Sequence, residues 1–225
     1  MIELVNVHKW YLLNGVRKDV ARDISFTFPA GECVALMGGN GAGKSTMLKM
    51  LAGTIRPNSG KIIRHGSVSW PVGFAGSFHG DMTGAQNARF VARVYGVDTD
   101  DMVDFAREFS RLGGHMNLPV RTYSSGMKSR LAFAISMAIK FDTYLIDEIT
   151  AVGDAAFQAK SEAMLRARLA ESSAVFVSHS LEQMERLCNS GVVLHNARFF
   201  YYARVQKAIE HYKHIMQGVL PPWMR

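Results

Sequence analysis

The chain has 225 residues, 48% of them hydrophobic, and a formal net charge of +7. That is enough apolar material for one sizeable core, with room for an inserted subdomain. The positive charge fits nucleotide phosphate, nucleic acid or an anionic membrane surface, and by itself selects none of them. No apolar run approaches the ~20 residues of a membrane-spanning helix. A soluble protein, or one held to a membrane only through a partner, is expected. The two cysteines, Cys33 and Cys188, lack metal-ligand spacing. They are expected to be small buried hydrophobes in a reducing compartment.

In chain order, the opening "MIELVNVHKW" alternates like a strand and is not a signal peptide. Further strand-like runs are "DISFTF", "CVALM", "TYLID", "AVFVS" and "GVVLH", and helical patterns follow several of them. "PAGE", residues 29 to 32, is a turn between two strands. Strand followed by helix, repeated, predicts an α/β fold with a parallel sheet. Residues 84–140 break the rhythm with helical patterns alone: "TGAQNARFVARVYG", "DDMVDFAREFSRLG" and the helix after "TYSS". This stretch is expected to be a helical subdomain inserted into the α/β core. The third of these helices is apolar at Leu131, Ala134, Ile135 and Ala138, which predicts an amphipathic helix. Its first turn offers backbone N–H groups and a positive dipole end to an anion. The tail "ARVQKAIEHYKHIMQG" predicts a basic helix over 203–217, expected on a solvated edge rather than at a membrane. No internal repeat or low-complexity tract interrupts the chain.

"GGNGAGKST", residues 38 to 46, follows the apolar strand "CVALM" and precedes a helical pattern. It fits the phosphate-loop spacing through Gly38, Gly43, Lys44 and Ser45. Glycines let backbone N–H groups curl around a phosphate, Lys44 can reach the outer phosphates, and Ser45 offers a hydroxyl to Mg²⁺. The run from Gly38 through Gly39, Asn40, Gly41, Ala42, Gly43 and Lys44 to Ser45 and Thr46 is the expected nucleotide cradle. A dinucleotide fingerprint fails, because Lys44 occupies the position of its third glycine. "TYLIDE" is a hydrophobic strand ending in Asp147 and Glu148. Carboxylates at the C-terminal end of a parallel strand face the crevice where such sheets bind ligands. Asp147 suits a place at the Mg²⁺ site, acting on the ion through its bound water, and Glu148 suits polarising an attacking water. His179, in "VFVSHS", ends another strand, where an imidazole can touch a γ-phosphate.

With these motifs in this order, the chain resembles the nucleotide-binding subunit of ABC transporters along nearly its whole length. "GGNGAGKST" resembles Walker A, "TYLIDE" resembles Walker B with its catalytic glutamate, and "VSHS" resembles the switch histidine. "YSSGM", residues 123 to 127, resembles the LSGGQ signature, with Tyr123 and Met127 in place of the usual Leu and Gln. Ser125 and Gly126 carry its phosphate-facing part, and Ser124 joins them among the residues implied to bind ATP. "AVGD" resembles the D-loop and contributes Asp154, and "HKWYLL" resembles the region whose aromatic stacks on adenine. Tyr11 is favoured over Trp10 for that role, although either ring could stack. No convincing Q-loop glutamine lies between Trp70 and Thr83; Ser77 or His79 is a partial substitute, and Gln86 falls inside the following helix.

The resemblance implies a single ABC nucleotide-binding domain over 1–225. Its core would span 1–83 and 141–225, a mainly parallel sheet with an antiparallel N-terminal β part. The helical signature subdomain would span 84–140. ATP and Mg²⁺ would be the cofactors, with Glu148, His179 and Lys44 catalytic. In this family two copies face head to tail, and each ATP lies between one copy's Walker A and the other's signature. "DEITAVGDAAFQAK" and "GSFHGDMTGAQN" resemble the branch that exports surface polysaccharides, and most of all its capsular polysaccharide members. That implies a homodimer on a membrane permease, with two permease copies, at the cytoplasmic face of a bacterial inner membrane. Periplasmic export partners would follow. Nucleic acid is not an expected partner, and a chain ending at Arg225 is expected to lack an appended carbohydrate-binding domain. The alternatives are an exporter of O-antigen, teichoic acid or another bulky substrate, a non-transport ABC ATPase, and a nucleotide kinase or GTPase. The last leaves "YSSGM" and "AVGD" unexplained.

Overall fold

Two long antiparallel strands, β1 (Ile2–Leu13) and β2 (Val16–Phe28), open the fold in a computed structural model that describes residues 1–72, 76, 78–147 and 154–218. They pair from Ile2↔Phe28 to Leu13↔Val16. The turn between them is Asn14–Gly15, with φ of 49° and 78°. Two successive positive φ values match the twist of the flanking strands, which is why Asn-Gly suits such a hairpin. After α1 (Lys44–Ala52), β4 (Ser59–Arg64) joins the other edge of β1, completing a three-stranded antiparallel sheet.

The remaining strands are β3 (Cys33–Met37), β5 (Val68–Val72), β6 (Thr143–Asp147), β7 (Ser173–Val177), β8 (Ser190–His195) and β9 (Arg198–Tyr202). They form a six-stranded sheet in the order β5-β6-β7-β3-β8-β9. The pairs β6–β7, β7–β3 and β3–β8 are parallel, and β8–β9 is an antiparallel hairpin at the edge. Every residue of β3 and β7 is buried. A parallel strand covered on both faces is apolar along nearly its whole length, so "CVALM" and "SAVFV" do not alternate. Ile2, Leu4, Leu36, Leu48, Leu145 and Val192 join residues from both sheets and α1 in one core. Full burial of each such side chain contributes about 1.5–3 kcal/mol.

The described residues fall into two compact units, one drawn from 1–71, 141–148 and 169–225, the other from 72–140 and 149–168. The first contains both sheets, α1, α6 (Leu181–Leu187) and α7 (Val205–Met216). The tail helix is not a solvated edge helix. α7 packs on β8, β3 and β9, burying Val205, Ala208, Ile209 and His211. That i, i+3, i+4 spacing makes an apolar stripe, which the tail's charge obscures in the sequence. The buried His211 Nδ1 is 2.8 Å from the Tyr202 hydroxyl. Burial, with His195 and His214 nearby, holds its imidazole below the usual histidine range. Cys33 and Cys188 are buried with their sulfurs 3.3 Å apart, and both are free thiols. The hydrogen bond with Cys33 and burial push the Cys188 thiol up, so it is a poor nucleophile.

The second unit holds α2 (Gly84–Tyr95), α3 (Thr99–Ser110), α4 (Ser125–Ala138), most of α5 (Ala155–Ala170) and two short 3-10 turns. α2 starts with a capping box: Thr83 Oγ1 accepts from Gln86 N–H, and Gln86 Oε1 accepts from Thr83 N–H. Gln86 is thus committed to holding a helix end. α4 departs from the predicted amphipathic pattern, because every residue from Leu131 to Met137 is buried. A helix apolar on all sides is a core helix. α2 and α3 pack against it, and Phe109, Phe133 and Phe157 form an aromatic cluster with centroids 5.7–6.4 Å apart. Arg168 donates to the Met137 carbonyl at the end of α4, 2.6 Å away.

Candidate functional site

The loop between β3 and α1 is shaped by glycines that nothing larger could replace. A Cβ on Gly38 would stand 2.7 Å from the Leu194 carbonyl oxygen. Gly43 has φ of 109°, and a Cβ there would meet Val20 Cγ1 at 2.3 Å. Gly41 also has a positive φ, 73°. The left-handed backbone turns the loop back so that α1 starts at Lys44 behind an N-cap glycine, Gly43, which has no side chain to cap it. Asn40, Gly41 and Ser45 are exposed, and Ala42, Gly43, Lys44 and Thr46 are half-buried. Lys44 Nζ donates to the carbonyls of Gly38 (2.7 Å) and Gly39 (3.2 Å). A concave run of N–H groups, a helix N-terminus and a lysine make a polyphosphate cradle.

Sheet order brings the other predicted groups of this unit to the same side. β6, β7 and β3 are consecutive parallel neighbours, so their C-terminal ends share one edge. Asp147 ends β6 half-buried, in register with Val177 of β7. His179 is exposed just beyond β7. Ser45 lies in the first turn of α1, which packs against β6. Ser45 and Asp147 supply one hydroxyl and one carboxylate, oxygen donors that fit Mg²⁺, an ion that takes its other ligands from water and phosphate. Glu148 lies outside the described residues, as does Ser77.

The aromatic choice turns on strand register. Tyr11 lies opposite Lys18, and Trp10 opposite Asp19. β2 has a bulge at Val20, between the pairs Lys9↔Ala21 and Trp10↔Asp19, and both Val20 and Lys18 reach the phosphate loop: Val20 at Gly43, and Lys18 Nζ 3.6 Å from a Cβ built on Gly41. Tyr11, opposite Lys18, projects to the same face as Lys18 and is 39% exposed. Trp10 projects to the other, where the Arg17 guanidinium stacks on it at 4.3 Å. Lys18 and Val20 were not singled out from sequence; for Lys18 the signal was its position across the Asn-Gly hairpin from Tyr11.

In the second unit, Ser124 N-caps α4, its Oγ accepting from Met127 N–H at 3.2 Å. Ser124 and Ser125 are exposed and Gly126 is half-buried at this helix N-terminus. Tyr123, unlike the usual leucine, is a buried strut whose hydroxyl donates to the His115 carbonyl. Asp154 accepts from Phe157 N–H (2.8 Å) at the start of α5 and from Arg130 of α4 (3.1 Å). These two contacts hold its carboxyl below the usual range, the Phe157 N–H foremost. Arg130, which also lies over the Phe157 ring, ties the signature helix to Asp154 and was not singled out from sequence. Asn87 of α2 fastens the preceding loop, exchanging hydrogen bonds with the His79 backbone and donating to the Met82 and Thr83 carbonyls.

A family profile described as ABC transporter matches residues 21–151, more than half of the chain. The chain belongs to the ABC transporter family. It is an ATP-hydrolysing member of that family, and ATP with Mg²⁺ is what the family uses. It is 46% identical over 216 residues to the polysialic acid transport ATP-binding protein KpsT of Escherichia coli, covering 95% of this chain and 96% of that one. It is 43% identical to the capsule polysaccharide export ATP-binding protein CtrD of Neisseria meningitidis serogroup B, covering 94% and 98%. Among solved structures, the ABC cassette MJ0796, described as a post-hydrolysis dimer bound to ADP and Pi, superposes with a TM-score of 0.76. That match covers 90% of this chain and 98% of MJ0796 at 19% identity, and it supports the ABC ATPase fold.

Proposed function

We propose that this chain is the ATPase subunit of an exporter that moves a capsular, lipid-linked polysaccharide across a bacterial inner membrane. The observation that carries this reading is near-full-length identity of 46% and 43% to proteins named for polysialic acid transport and capsule polysaccharide export. Among the described residues no helix is long and apolar enough to cross a membrane. Passage of the substrate is therefore assigned to a separate permease, on whose cytoplasmic face two copies of this chain work as a dimer. Periplasmic export proteins complete the path. One nucleotide-binding domain, with a helical signature part over 84–140, makes up the chain.

In this scheme Gly38 to Thr46 cradle the phosphates, and Lys44 offsets their charge. Ser45 and Asp147 would hold Mg²⁺, which would supply positive charge against the outer phosphates. Glu148 takes a proton from the attacking water, and His179 orients the γ-phosphate. Ser124, Ser125, Gly126 and Asp154 of the second copy complete the site. Copurifying the chain with its permease from a producing strain and identifying the bound glycan tests the substrate. A capsular glycolipid is the expected result; O-antigen, teichoic acid or no glycan would overturn it.

Tyr11 is assigned to the adenine because its ring shares the face that meets the phosphate loop. Tyr11→Ala should weaken ATP binding by roughly 1–3 kcal/mol, the contribution of one aromatic stack on a base. Trp10→Ala should cost less. Nucleotide titrations of the two variants decide the matter, and a larger loss at Trp10 would reverse the assignment.

A further inference from the structure

The hairpin of β1 and β2 brings a second lysine to the phosphate loop. Its lysines and arginines are Lys9, Arg17, Lys18 and Arg22. Three of these are engaged elsewhere: Arg17 and Arg22 grip Asp19 at 2.7 and 2.8 Å, and Lys9 Nζ donates to the Arg56 carbonyl at 3.0 Å. Lys18 is exposed, and no carboxylate pairs with it among the described residues. Its ammonium reaches the loop, 3.6 Å from where a Cβ on Gly41 would be. Lys44 Nζ, by contrast, sits on the Gly38 and Gly39 carbonyls. The two cations therefore approach the loop at different residues, Lys18 at Gly41 and Lys44 at Gly38 and Gly39.

Resting on the nucleotide site proposed above, we infer that Lys18 is a second phosphate-binding lysine, which holds the α- and β-phosphates of the bound nucleotide. Cross-strand neighbours project side by side, so a base stacked on Tyr11 lies next to Lys18. Lys18 then stands between base and loop, at the inner end of the triphosphate. Lys44 stands at the Gly38–Gly39 end. An exposed ammonium aimed at an anionic ligand gains most when that ligand excludes water from it. The chemistry recognised is a nucleoside di- or triphosphate, and the terminal phosphate is left to other groups.

The test titrates the full chain with ATP, ADP and AMP, with Mg²⁺ present, comparing Lys18→Gln, Lys18→Arg and Lys44→Ala with the parent. Lys18→Gln should weaken ATP and ADP by the same factor, about tenfold, as expected for one charge-assisted contact. AMP should lose less. Lys18→Arg should recover most of the affinity, and the gap between parent and Lys18→Gln should narrow at high salt. The side chain is exposed, so thermal midpoints should not move. Parent-like binding of both ATP and ADP by Lys18→Gln would overturn the inference, and so would a loss confined to ATP. A parent that binds no nucleotide, or a Lys44→Ala variant that binds like the parent, would instead bring down the underlying site.

Discussion

Glu148→Gln should bind ATP as the parent does and hydrolyse it roughly 10²–10⁴-fold more slowly, the usual cost of removing a general base. The expectation rests on its place directly after Asp147, which ends β6 at the edge shared with the phosphate loop and His179. Glutamine keeps the size and hydrogen-bonding reach of the side chain but cannot accept the proton of an attacking water. Binding and turnover should therefore separate. Steady-state ATPase assays and equilibrium ATP binding check both halves. Turnover near the parent rate would remove Glu148 from the mechanism.

The second expectation concerns two anion sites on one chain. Lys44 and the Ser125 end of α4 belong to different compact units. If Ser125 serves the nucleotide held by the other copy's Lys44, lesions on separate chains should combine in a single composite site. Lys44→Ala removes the charge stabilising the phosphates, and Ser125→Arg places a bulky side chain at an exposed helix N-terminus that would meet a γ-phosphate. In a heterodimer carrying one lesion per chain, one site holds both lesions and the other pairs intact Lys44 with intact Ser125. With Glu148→Gln in both chains to prevent turnover, trapped ATP should be one per heterodimer and near zero in either homodimer. If each chain built its own complete site, both sites would be damaged. Folded, assembled heterodimers that trap no ATP would exclude the shared site.

The motifs that reveal the family are legible because they are local. A glycine-rich turn between a buried strand and a helix needs its residues at fixed spacing, and so "GGNGAGKST" reads without a structure. "CVALM" and "TYLID" read as interior strands because burial on both faces demands unbroken apolar runs. β4, "SGKIIR", lies mostly exposed on an antiparallel edge and has no such run, so its pairing with β1 decided it.

What only the tertiary structure decided depends on segments far apart in the chain. Tyr11 and Trp10 are adjacent, and a strand sends adjacent side chains to opposite faces. Which face meets the phosphate loop follows from Lys18, the partner of Tyr11, reaching Gly41, a matter of packing between β2 and the loop. Val20 meets the same loop at Gly43. α4 reads as amphipathic from its spacing, and neighbours on several sides made it a core helix. α7 reads as solvated from its charge, and an apolar stripe against β8, β3 and β9 buried one side of it. The Arg130–Asp154 pair joins two helices across 24 residues. In each case sequence determined the local element and its chemistry, while burial and pairing, which no local pattern encodes, determined what that element faces.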